Sequence, residues 1–109
     1  MKLVFAIVQH DDSHKIMQEL NKGGFMVTKL SSSGGFLKTG NVTLMVGVEK
    51  EKVDKVIQIV QKTSKSRKEV ISAGSFSGDM GGVFEPYPVE VTVGGATVFV
   101  VDVEKFEKL

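Results

Sequence analysis

The alternation of apolar and polar positions divides the chain into short strands and two helices. Leu3-Val4-Phe5-Ala6-Ile7-Val8 is a continuous apolar run rich in β-branched residues and predicts a strand buried on both faces. Asp11-Asp12-Ser13 offers an N-cap and first-turn acids, and Ile16, Met17 and Leu20 recur at helical spacing. Gly23-Gly24 stops that helix, because glycine accepts the left-handed conformation of a C-terminal cap. Two more strands are predicted over Phe25 to Leu30 and Asn41 to Val48. In the second, Val42, Leu44, Val46 and Val48 point toward a core, whereas Asn41, Thr43, Met45 and Gly47 point the other way. That second face is small and polar for a sheet, as expected of a surface that meets a ligand or a partner.

Helical spacing returns from about Lys50 to Lys62, with Val53, Val56, Ile57 and Val60 on one face and acids near its start. A short strand follows over Glu69 to Ala73. Gly74 to Tyr87 lacks periodicity and reads as a long loop. The last strands, Val89 to Val93 and Ala96 to Val103, are expected to pair as a tight hairpin through Gly94-Gly95. The order β-α-β-β-α-β with an added hairpin in the C-terminal half predicts an α+β, ferredoxin-like sheet. Two helices cover one face of such a sheet. The bare face then calls for an oligomer.

A length of 109 residues suits a single domain over 1–109. Fourteen Lys and Arg against 13 Asp and Glu leave a net charge of +1, too weak a field for nonspecific nucleic-acid binding. The absence of Cys removes disulfides, thiolate zinc sites and thiol catalysis, and suits a reducing, cytoplasmic setting. The apolar run at Leu3 to Val8 is too short for a membrane span and lacks the cleavage region of a signal peptide.

His10-Asp11-Asp12-Ser13-His14 combines imidazoles with carboxylates, which reads either as a divalent-metal site or as a helix start with a solvated face. The helix start is the better explanation, since spacing alone does not converge the ligands. The other acids are scattered and give no signal of an acid–base pair.

The segment Ser31-Ser32-Ser33-Gly34-Gly35-Phe36-Leu37-Lys38-Thr39-Gly40-Asn41 is more informative. Gly35 and Gly40 have the separation of a Walker A loop, but Asn41 and Val42 replace its Lys and Ser/Thr, and the segment joins two strands. A hydrolytic P-loop is therefore excluded. What remains suits a ligand carrying both phosphate and base. Backbone amides and serine hydroxyls can accept phosphate charge, Phe36 can stack on a purine, and Asn41 presents a donor and an acceptor that match an adenine edge. The competing reading is a glycine-rich turn whose Phe36 and Leu37 pack on a neighbouring subunit. In the later loop, Phe84 and Tyr87 are expected to pack beside prolines, while Phe76 and Met80 suit a partner-facing tip.

Thr28-Lys29-Leu30, Ser33-Gly34-Gly35-Phe36-Leu37 and Gly40-Asn41 together resemble the PII-like cyclic-di-AMP receptors. Pro86-Tyr87-Pro88-Val89-Glu90-Val91 and Val93-Gly94-Gly95-Ala96-Thr97-Val98-Phe99-Val100 extend the likeness almost to the C-terminus. The resemblance implies a homotrimer with three equivalent sites between subunits. It also implies binding of cyclic-di-AMP without catalysis or a resident cofactor, and loop rearrangement as output. The apolar residues of the 74–87 loop point to an unidentified downstream protein target reached through it. Carried over by position, Thr28 and Asn41 would meet base edges, Gly35 and Gly47 would give backbone contacts, and Phe36, Leu37 and Phe99 would pack on the ligand. The chain departs from the pattern at Met26, where parts of the family carry Arg, and at Lys108, where a polar amide is expected. Met26 and the apolar long loop motivate an alternative, a PII-type adapter that binds ATP or a target protein without cyclic-di-AMP. A metal-dependent enzyme using His10 and His14 is the third reading.

Overall fold

A computed structural model describes residues 1–30, 40–72 and 88–109. Residues 31–39 of the expected 31–41 segment, Ala73 and the whole expected 74–87 loop, with Gly35, Phe36, Leu37, Phe76, Met80, Phe84 and Tyr87, lie outside the described residues. The elements are β1 (Lys2–Gln9), α1 (His10–Lys22), β2 (Val27–Leu30), β3 (Asn41–Val48), a 3-10 turn (Lys50–Lys52), α2 (Val53–Thr63), β4 (Arg67–Ser72), β5 (Pro88–Val93) and β6 (Ala96–Asp102). The main sheet has the order β2-β3-β1-β6, antiparallel at every pairing. β4 and β5 form a separate antiparallel ribbon.

Period-two patterning builds the sheet's inner face. Val4, Ala6 and Val8 of β1 and Val42, Leu44, Val46 and Val48 of β3 are buried, and α1 and α2 close over them with Ile16, Leu20, Val56 and Val60. The outward positions Leu3, Phe5 and Ile7 of β1 are only half-buried. The expectation that this strand is buried on both faces is therefore not met by one chain. No described element packs over its second face.

Three local expectations are corrected. First, α1 begins at His10 with Gln9 as its N-cap and no capping side chain. Asp12 and Ser13 instead turn inward: the Ser13 hydroxyl donates to the His10 carbonyl at 2.7 Å, and Asp12 pairs with Arg67. Second, Lys50 to Lys52 form a 3-10 turn, and the α-helix starts only at Val53. Third, Gly94-Gly95 is not the turn of a β5–β6 hairpin. β5 pairs with β4 and β6 pairs with β1, so the two glycines carry the chain from the ribbon into the main sheet. Both have positive φ, +83° and +78°, and a Cβ on Gly94 would lie 2.6 Å from the Lys65 carbonyl oxygen. Close passage over the end of α2 explains the glycines here, as a left-handed backbone does.

The C-terminus of α1 meets its expectation. Gly24 takes φ +87°, and the Phe25 N–H donates to the Leu20 carbonyl at 3.0 Å, which closes the helix end and brings Phe25 into the core.

The ribbon packs chiefly on itself. The radius of gyration, 17.6 Å, exceeds the roughly 13 Å of a compact chain of this length, as a projecting ribbon requires. At the ribbon's root, Arg67 Nη2 donates to Asp12 Oδ1 at 3.1 Å, the Gly94 N–H donates to Gln9 Oε1 at 2.8 Å, and the Gly95 N–H donates to the Ser64 carbonyl. The hydrogen bond from Arg67 to Asp12 holds the guanidinium pKa above its already high ordinary value. Across the far end of the sheet Lys2 pairs with Asp102 in register, which lowers the Asp102 carboxyl pKa.

Candidate functional site

The helix-free face of the sheet carries the described candidate residues. Register places Thr28 opposite Met45, Met45 opposite Phe5, and Phe5 opposite Phe99, a single row across all four strands. Gly47 lies two residues beyond Met45 on the same face, diagonal to Thr28, and Asn41 lies at the other end of β3 beside Gln9. Thr28, Gly47 and Phe99 are exposed, and Asn41 is half-buried.

These residues share a face but not a contact sphere. Three strand spacings separate Thr28 from Phe99, about 14 Å, and six residues of extended chain separate Asn41 from Gly47, about 20 Å.

Each end of β3 opens into a cleft, and the two clefts differ in charge. At the Gly47 end the walls are Gly24, Phe25, Met26, Gly47, Glu49, Lys52 and Lys55, around ≈ 380 Å³. Two lysines face one glutamate there, and Lys55 Nζ stands 5.8 Å from the Phe25 ring centroid. Met26 is 87% exposed at the rim. At the Asn41 end the cleft encloses ≈ 460 Å³ between the main sheet and the ribbon. Gln9, His10, Asp11, Gly40, Asn41 and Glu69 line it, with Val91 and Val93 of the ribbon. Both volumes fall in the range of small-molecule sites.

Gly47 gives the sharpest signal. Its φ is not positive, and no atom lies within 4 Å of where its Cβ would stand, so the fold does not require glycine there. A mid-strand glycine weakens a strand unless something outside approaches its backbone. Gly40 differs, because its φ of +91° is a conformation that side chains resist.

The acidic and imidazole cluster at the start of α1 diverges. His10 Nδ1 stays 3.8 Å from Asp11 Oδ1 on the surface, while Asp12 is buried against Arg67. Among the described residues no three His, Asp or Glu side chains converge to hold a metal.

Gln9 escaped the sequence reading. Its signal is register: as the last residue of β1 it stands directly opposite Asn41, a pairing invisible until the strands are aligned.

The strand order and antiparallel pairings, with two helices on one face, define a ferredoxin-like α+β domain elaborated by a projecting ribbon. A family model described as cyclic-di-AMP receptor matches residues 1–109, and the chain belongs to that family. It is also similar, at 40% identity, to a solved protein of Pediococcus pentosaceus ATCC 25745 described as functionally unknown. The similarity covers 99% of this chain and 96% of that one, with a TM-score of 0.76.

Proposed function

We propose that this chain is a non-catalytic signal-transduction protein that binds cyclic-di-AMP in clefts between the subunits of a homotrimer. Rearrangement of the surrounding loops is its output. The match of the receptor family to the whole chain carries the reading and favours it over an ATP-binding adapter. The geometry adds a reason for the shared cleft. Asn41 and Gly47 stand about 20 Å apart in one chain, too far for one cyclic dinucleotide to meet both from a single subunit. In this reading a neighbouring copy laid against the bare face would bring the Asn41 end of one β3 toward the Gly47 end of another. The charges suit that division: amides at one end for adenine edges, lysines at the other for phosphates.

In this reading Thr28, Gly35, Phe36, Leu37, Asn41, Gly47 and Phe99 contact the ligand, and no resident cofactor takes part. The 74–87 segment serves a downstream protein target. A cytoplasmic location belongs to the same proposal; among the described residues no helix is long and apolar enough to cross a membrane. Ligand shifts loop populations only by binding one arrangement more tightly than another, so the free and bound loops differ.

Calorimetry with cyclic-di-AMP, ATP and cyclic-di-GMP tests the reading. Saturable binding of cyclic-di-AMP at one molecule per chain is expected, weakened at least about tenfold, or ~1.4 kcal/mol, by Asn41→Ala. No heat from cyclic-di-AMP, with the protein folded, overturns it.

A further inference from the structure

At the amide end of the sheet, the hydrogen bond between the Gly94 N–H and Gln9 Oε1, 2.8 Å long, fixes which way the Gln9 side chain faces. A backbone N–H can only donate, so the side-chain oxygen must be the atom turned to Gly94, and Nε2 with both its protons is left on the other side of the amide. Gln9 lines the ≈ 460 Å³ cleft together with Asn41, its direct partner across the β1–β3 ladder. Such partners lie about 5 Å apart at Cα.

The cleft's charge narrows what those protons meet. Asp11 and Glu69 line it, with Glu69 Oε1 paired to Arg67 Nε at 3.4 Å, and no described Lys or Arg is among the lining residues. Such walls offer a phosphate little cationic attraction, whereas a neutral heterocycle with ring-nitrogen acceptors needs none.

We propose that Gln9 is a second base-reading residue, a donor held in place by the ribbon root, that gives a hydrogen bond from Nε2 to a ring nitrogen of the adenine contacted by Asn41. This inference rests on the cyclic-di-AMP reading above and adds a residue to it. Because one amide serves both partners, its oxygen on the ribbon and its nitrogen on the ligand, Gln9 also joins base occupancy to the root of β5.

Two substitutions separate the two ends of the amide. Gln9→Glu keeps an acceptor for Gly94 and removes the donor; Gln9→Met keeps the length and removes both. Calorimetry with cyclic-di-AMP is expected to show at least about tenfold weaker binding for each, ~1.4 kcal/mol. Hydrogen exchange at the Gly94 amide is expected to stay slow in Gln9→Glu and to quicken in Gln9→Met. Binding by Gln9→Met within about twofold of the parent overturns the inference, and weakening confined to Gln9→Glu does so too, since added charge then explains it. If the parent chain binds and Asn41→Ala weakens binding while Gln9→Met does not, this inference alone fails. If the parent chain does not bind cyclic-di-AMP, the functional reading fails with it.

Discussion

Gly47 shows how a single residue separates folding from function. With ordinary backbone and open space around its Cβ position, it accepts a side chain without strain. A β-branched residue suits a strand better than glycine does. Gly47→Val is therefore expected to hold its unfolding free energy within about 0.5 kcal/mol of the parent in urea. Under the proposed function the same change fills space that the ligand uses, so cyclic-di-AMP binding is expected to fall by more than about tenfold. Lost stability with unchanged binding would make Gly47 a structural glycine. At this scale the alternation in β3 was readable from sequence and placed Asn41 and Gly47 on the correct face. Gln9 was not readable, because its partner is 32 positions away and only the β1–β3 register joins them.

Among the elements, the ribbon is the departure from a plain βαββαβ order. Sequence patterning located β1, β3 and both helices within a few residues, since each buries an apolar stripe with its own period. It mispaired β5 because Gly-Gly between two strands is also the signature of a hairpin turn. Local chemistry could not reveal that β6 is claimed by β1, a pairing across most of the chain. The two roles of glycine at these boundaries are distinguishable. Gly24→Ala, with φ +87° and nothing within 4 Å, is expected to cost about 1–2 kcal/mol from conformation alone. Gly94→Ala adds a collision with the Lys65 carbonyl at 2.6 Å. It is expected to cost about 1–3 kcal/mol and also to speed exchange of the β5 amides. Urea unfolding with hydrogen exchange measures both. Equal costs and an undisturbed ribbon would contradict the close passage.

In the molecule as a whole, the sheet's outer face is the surface that the proposed assembly would cover. Leu3, Phe5, Ile7 and Met45 are half-buried there, and Phe99 and Val101 are 45% and 43% exposed. That continuous apolar surface marks a contact surface. The same face carries the candidate ligand residues, spread too widely for one chain to gather around one molecule. Under the proposed function, a second copy of the chain meets both.

A crystal structure of the protein with cyclic-di-AMP tests this claim most directly. The account predicts a trimer with one dinucleotide in each intersubunit cleft, an adenine against Asn41 of one subunit and the ligand's far side near Gly47 of another. A dinucleotide held wholly within one chain, or a monomer whose Asn41 cleft stays empty at saturating ligand, would contradict it.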